Sequence, residues 1–132
     1  MPNWPKTMNT RLLFKASAII EILTGVALLA VPSLVIELLL GDGLSFTGVA
    51  VARMLGVGLL AVGVAAWEAP QQAVRFAPRA GLCIYNLGAA VVLAIFGSIS
   101  ATGGILLWPV VIVHGLIGAT MLWVMLTPLR AV

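Results

Sequence analysis

Residues 50–67 read AVARMLGVGLLAVGVAAW, an apolar stretch long enough to cross a lipid bilayer that carries one arginine, Arg53, within it. A charged side chain inside a membrane span is costly and usually faces another polar group of the protein. The other segments of the chain are therefore interpreted as the surroundings of Arg53. The sequence should contain the group that balances its charge.

The composition indicates an integral membrane protein. Of the 132 residues, 62% are hydrophobic and 8% are charged, whereas a soluble domain carries about 25% charged residues. The net charge of +3 does not indicate nucleic-acid binding, because the basic residues sit at the edges of apolar runs and do not cluster on one face. The single cysteine, Cys83, excludes an internal disulfide and a CxxC centre.

Four apolar runs are predicted to cross the membrane, and they make residues 1–132 a single domain. Proline at position 32 ends the first run, and the eight residues that follow, 33–40, are too few to cross. They predict a short interfacial helix that ends at Gly41, and one long kinked helix is the alternative. The predicted fold class is an all-α membrane protein, a four-transmembrane-helix bundle with a short interfacial helix after the first span. The predicted spans are 12–31, 47–67, 80–98 and 107–126.

The distribution of basic residues predicts the orientation of the chain in the membrane. Six of the seven Lys and Arg residues lie before or in the first turn of the first span, between the second and third spans, or after the fourth. The other two loops carry neither, and the positive-inside rule therefore predicts that both termini are cytoplasmic. Trp67 and Trp123 fall at the predicted inner ends of spans and Trp108 at an outer end, as expected of interfacial anchors. The six basic residues are Lys6, Arg11, Lys15, Arg75, Arg79 and Arg130.

Each predicted span contributes one strongly polar residue to the central part of the membrane. On each helix this residue shares a face with small residues, which allow helices to approach closely in lipid. We therefore expect the polar faces to point into the bundle. An ion pair between Glu21 and Arg53 is predicted, with Tyr85, Asn86 and His114 nearby.

Three segments of the chain form a recognisable pattern: EILTGVALLAVPS at 21–33, LLGDG at 39–43 and VARMLGVGLLAVGVAAW at 51–67. In these segments the chain resembles the DoxX-like group of small four-span bacterial membrane proteins. The resemblance covers most of the chain and implies an α-helical bundle in the bacterial inner (cytoplasmic) membrane. Some members of that group are similar to subunits of quinone-linked or sulfur-linked redox assemblies. No catalytic motif is carried over by the resemblance.

The polar centre supports several functional interpretations. The first is an accessory or ligand-binding subunit that is not an enzyme and whose centre holds a small lipophilic molecule, a quinone or a lipid, or only sets the helix register. The second is a membrane-embedded enzyme that uses Glu21 and His114 as acid and base on a lipophilic substrate, because burial favours the neutral forms of both groups and brings proton exchange near neutral pH. The third is a proton or ion pathway formed by an oligomer.

The sequence indicates no metal site and no certain cofactor. A single histidine, His114, excludes bis-histidine haem ligation within one chain, which leaves Met121 or Met125 as the second axial ligand of any haem. The few metal-ligating residues are spread over three spans without the spacing of a ligand set. A quinone or a bound lipid remains the expected ligand class. The expected partners are the lipid bilayer and either other membrane subunits or further copies of the chain, with no nucleic acid.

Overall fold

The computed structural model describes residues 10–67 and 76–127. These residues form five helices, and four of them are long and apolar enough to span a membrane: α1, α3, α4 and α5. The predicted fold class is therefore confirmed, and the helix ends lie close to the predicted ones. The helices are α1 (Thr10–Ala30), α2 (Pro32–Leu40), α3 (Phe46–Trp67), α4 (Phe76–Ile99) and α5 (Leu107–Leu126).

The short helix α2 is a separate element and not the continuation of a long kinked helix. Val31 leaves the helical conformation, with φ −135° and ψ 56°, and Pro32 then occupies the first turn of α2, where a missing amide hydrogen costs little. The helix ends at Gly41, which has a φ of 80° and donates its backbone N–H to the carbonyl of Glu37 at 2.8 Å. Glycine adopts this left-handed conformation without a steric penalty.

The four long helices pack as two pairs, α1 with α3 and α4 with α5. Glycines allow the first pair to come close, because a Cβ atom on Gly25 would lie 2.7 Å from the carbonyl oxygen of Gly56. In the second pair, Gly118 makes room for Leu87, whose side chain would lie 2.8 Å from an added Cβ. Lipid supplies no hydrophobic force between helices, so this close packing is what holds each pair together.

The interior of the bundle contains two apolar clusters with buried polar residues between them. The first cluster lies where α1 and α4 begin and α3 and α5 end; the second lies towards the opposite end of α1 and α3. This layering positions the polar residues at the middle of the bundle. The buried members of the first cluster are Phe14, Ala18, Ala66, Leu82, Cys83 and Met121, and those of the second are Leu28, Ala52 and Leu59.

The segment that joins α4 to α5 holds the end of α2. The N–H groups of Gly104 and Leu106 donate to the carbonyls of Leu39 and Leu38, at 3.2 and 2.9 Å. These bonds satisfy carbonyls that a helix end leaves without partners. Helix α2 is therefore attached to both helix pairs, through α1 on one side and the α4–α5 connection on the other.

The outer surface of the bundle is apolar. Phe46 is 94% exposed and Ile99 81% exposed, among many other large apolar side chains, and a soluble monomer does not normally expose so continuous an apolar surface. Trp67, Trp108 and Trp123 are also exposed and lie near the ends of their helices. A surface of this kind is suited to contact with lipid.

Candidate functional site

A buried polar layer crosses the middle of the bundle. Ser17 and Glu21 lie one turn apart on α1, Asn86 lies on α4 and His114 on α5. The first three are completely buried and His114 is 7% exposed. We call these four residues the polar layer, and it lies at the seam where the α1–α3 pair meets the α4–α5 pair.

Asn86 is the hydrogen-bonding centre of the polar layer. Its Nδ2 donates to Ser17 Oγ at 3.0 Å and to the carbonyl oxygen of Leu82, one turn earlier on α4, at 2.8 Å. Its Oδ1 lies 2.9 Å from His114 Nδ1. The orientation of the amide follows from this geometry, because a backbone carbonyl only accepts and so must face the NH₂ group. Asn86 therefore joins α1, α4 and α5.

The orientation of Asn86 also determines which nitrogen of His114 carries a hydrogen. An amide oxygen cannot donate, so the 2.9 Å bond requires that Nδ1 carries the hydrogen and donates it to Asn86. The second ring nitrogen, Nε2, makes no hydrogen bond with any residue that the structure describes. In the neutral ring, Nε2 holds the lone pair and acts as an acceptor.

Glu21 is the residue of the polar layer whose hydrogen-bonding needs are not met. Its Oε1 lies 4.0 Å from His114 Nδ1, which is beyond hydrogen-bonding distance, and the hydrogen on Nδ1 is already donated to Asn86. Both carboxyl oxygens are buried without a partner among the described residues. Leaving such a group unsatisfied costs about 1–3 kcal/mol. The polar layer therefore offers acceptors for which the described residues provide no donors.

Tyr85 lies beside the polar layer. Its ring meets the His114 ring edge to face, with centroids 5.8 Å apart and planes at 82°. It also packs against the second apolar cluster, and it is only partly buried. Tyr85 therefore lies between the polar layer and the less enclosed part of the bundle.

Arg53 does not join the polar layer, and the predicted ion pair with Glu21 is wrong. Arg53 is exposed on α3 and forms no ion pair with any described residue, and the basic side chain beside Glu21 is that of His114, at 4.0 Å. The face of α3 that packs inward carries Ala52, Gly56 and Leu59, and Arg53 lies about 100° around the helix from Ala52. Its long side chain can extend towards the membrane surface and so reduce the cost of its charge.

Ser17 belongs to the polar layer although the sequence did not single it out as a site residue. The sequence feature that could have identified Ser17 is its spacing from Glu21, because residues four apart share one face of a helix. Cys83, which is also buried, lies with Sγ 3.7 Å from the carbonyl oxygen of Gly118. It packs as a small apolar side chain in the first cluster.

The part of the chain that the structure describes contains no group of three or more His, Cys, Asp or Glu side chains that could hold a metal ion.

No protein-family model, curated protein or solved structure matches this chain.

Proposed function

We propose that this chain is an accessory membrane subunit that binds a small lipophilic molecule, with the polar end of that molecule in the polar layer. One observation carries the proposal: both carboxyl oxygens of Glu21 are buried without a hydrogen-bond partner among the described residues. Nearly all buried polar groups in native proteins are paired, so an exception needs an explanation, and a bound molecule that supplies the missing partner is one. A ligand that brings a hydrogen-bonding group would satisfy Glu21.

The chemistry of the polar layer favours a quinone or quinol as this ligand. A quinol carries hydroxyl groups, which donate to a carboxylate, whereas a quinone carries carbonyl groups, which accept from a protonated carboxyl group. Glu21 can therefore serve either redox form by changing its own protonation. The free Nε2 of His114 adds a second acceptor.

The seam between the two helix pairs is where a lipophilic molecule would reach the polar layer. The contacts of α1 with α4 and α5 are less extensive than the contacts within each pair. Ligand sites in helical bundles lie between facing helices. Tyr85, which is partly exposed beside His114, marks the side from which a lipophilic molecule would enter.

The experiment measures how much decylubiquinol the unaltered protein and its variants retain, by native mass spectrometry in mild detergent. Glu21→Leu should weaken retention of decylubiquinol about tenfold or more, the effect of losing a hydrogen bond to a charged group. The matched control is Glu37→Leu, which removes an exposed carboxyl group on α2 and should leave retention unchanged. The dimethyl ether of decylubiquinol keeps the ring and the tail but carries methoxy groups in place of both hydroxyl groups, so it has no donor and should bind poorly to the unaltered protein.

Two results would overturn this proposal. One is equal retention of decylubiquinol by the unaltered protein and by Glu21→Leu. The other is equal retention of decylubiquinol and its dimethyl ether by the unaltered protein, because that would show that Glu21 does not recognise a hydroxyl group.

The 4.0 Å separation of Glu21 and His114 supports a second candidate, a membrane-embedded enzyme. Nε2 of His114 would take a proton from a lipophilic substrate, and the Glu21 carboxylate would stabilise the imidazolium that forms. The molecule recovered with the protein distinguishes the binding subunit from the enzyme. Recovery of unchanged decylubiquinol supports a binding subunit, whereas an altered product that His114→Gln no longer forms supports catalysis.

We further propose that the protein resides in the bacterial inner membrane with both termini cytoplasmic. The distribution of Lys and Arg residues supports this orientation, and the resemblance to the DoxX-like group supports the compartment. A reporter that is active only in the cytoplasm should be active when it is inserted between α3 and α4, and a reporter that is active only in the periplasm should not. Activity of a periplasmic reporter at that position would reverse the orientation.

A further inference from the structure

An apolar groove lies on the outer side of the α1–α3 pair, apart from the polar layer. It encloses about 340 Å³ and is lined by apolar side chains from both helices. The groove is open to the bilayer, because Leu23 is 64% exposed and Val64 is 55% exposed. Its lining residues are Ile19, Ile22, Leu23, Val64 and Trp67.

The groove and the polar layer lie on different sides of α1. Ile19 and Leu23 are each two residues from Glu21, which places them about 160° around the helix from it. Gly63 on α3 lies between the two sides, since a Cβ atom on it would be 2.7 Å from the Ile22 side chain and 2.9 Å from the carbonyl oxygen of Ala18. A molecule in the groove would therefore not touch Glu21.

One end of the groove carries a positive charge. Lys15 lies one turn before Ile19 on α1, and its Nζ is 5.5 Å from the centre of the Trp67 ring. Trp67 is itself a wall of the groove, and its indole N–H is a hydrogen-bond donor. The groove is thus apolar along its length and cationic at the end formed by Lys15 and Trp67.

We propose that this groove binds an anionic phospholipid, with its phosphate at Lys15 and one acyl chain along Ile19, Leu23 and Val64. The proposal rests on charge complementarity. The groove is apolar with a positive charge at one end, and an anionic phospholipid has apolar chains with a negative charge at one end. Along α1, Lys15 lies about 12 Å from Leu23, the farthest lining residue of the groove on that helix, and this distance matches much of one acyl chain. A lysine near anionic lipid contributes attraction that zwitterionic lipid does not supply.

The test measures binding of phosphatidylglycerol and phosphatidylcholine to the full chain by native mass spectrometry in mixed micelles. The unaltered protein should retain phosphatidylglycerol in preference to phosphatidylcholine. Lys15→Gln should weaken retention of phosphatidylglycerol about fivefold and leave phosphatidylcholine unchanged.

Arg79→Gln is the matched control for charge. Arg79 lies at the same end of the bundle and is placed over the ring of Phe14, at 5.2 Å, and unlike Trp67 beside Lys15, Phe14 is not a wall of the groove. The substitution removes the same charge and a similar contact with an aromatic ring, and it should leave phosphatidylglycerol retention unchanged. Equal losses in Lys15→Gln and Arg79→Gln would overturn the proposal in favour of general attraction between basic residues and anionic lipid.

A second pair of variants tests the groove itself. Leu23→Trp fills the groove without changing any charge and should abolish the preference for phosphatidylglycerol, whereas Leu116→Trp adds the same bulk to an exposed position on α5 and should not. Unchanged binding in Leu23→Trp would overturn the proposal. A dimer that Leu23→Trp dissociates would also overturn it, because a second copy of the chain would then occupy the groove.

Discussion

Nδ1 of His114 lies 4.0 Å from Oε1 of Glu21, so an imidazole on α5 and a carboxyl group on α1 face each other in the bundle interior without a hydrogen bond. Asn86 accounts for this separation, because it accepts the Nδ1 hydrogen at 2.9 Å. The polar layer therefore contains one residue with a full set of partners, Asn86, beside one with none among the described residues, Glu21. Substitutions of these two residues should therefore change the free energy of unfolding in opposite directions.

Replacing Glu21 with leucine should stabilise the bundle. The substitution removes a buried carboxyl group that makes no hydrogen bond, and apolar replacements of poorly satisfied buried groups are often stabilising. The free energy of unfolding, measured by titration with a denaturing detergent, should rise by about 1 kcal/mol. A fall of similar size would indicate that Glu21 has a partner in the folded protein.

Replacing Asn86 with leucine should destabilise the bundle. The substitution removes the partners of Ser17 Oγ and His114 Nδ1 together, and the free energy of unfolding should fall by about 2–4 kcal/mol. The matched control is Ser98→Ala, which removes an exposed hydroxyl bonded within its own helix to the carbonyl of Ala94 at 2.7 Å. Equal effects of the two substitutions would contradict a central role for Asn86.

Adding a methyl group at Gly56 should separate α1 from α3. A Cβ atom there would lie 2.8 Å from the carbonyl oxygen of Gly25, so Gly56→Ala forces a backbone shift and should lower the free energy of unfolding by about 1–3 kcal/mol. Gly58→Ala is the control on the same helix, because no atom lies within 4 Å of its added Cβ. The prediction fails if both variants unfold at the same detergent concentration.

Replacing Arg53 with leucine should leave the bundle stable. Arg53 is exposed and forms no ion pair with Glu21, so the substitution breaks no internal contact and removes a charge that is costly in a membrane span. The free energy of unfolding should stay the same or rise, by up to about 3 kcal/mol. Marked destabilisation, absent from Met54→Leu at the next position, which is also exposed, would point to a partner for Arg53.

The contrast between Gly41 and Arg53 shows which kind of information the sequence carries. Gly41 ends α2 as predicted, because the proline in the first turn of the helix and the glycine after it act on their own backbone. The role of Arg53 depended on the rotation of α3 about its axis. A face that contacts lipid and a face that contacts another helix are both apolar, so hydrophobicity alone does not determine this rotation.

The sequence by itself determined the class of protein, the four long apolar helices and their ends, since apolar length, proline and glycine act locally along the chain. It also identified Glu21, Asn86 and His114 as inward-facing, because each shares a helix face with small residues. Only the tertiary structure decided which of these groups meet. The buried face of α3 carries Ala52, Gly56 and Leu59 and leaves Arg53 exposed. The packing of the two helix pairs places Glu21 beside His114, where Glu21 has no bonded partner among the described residues.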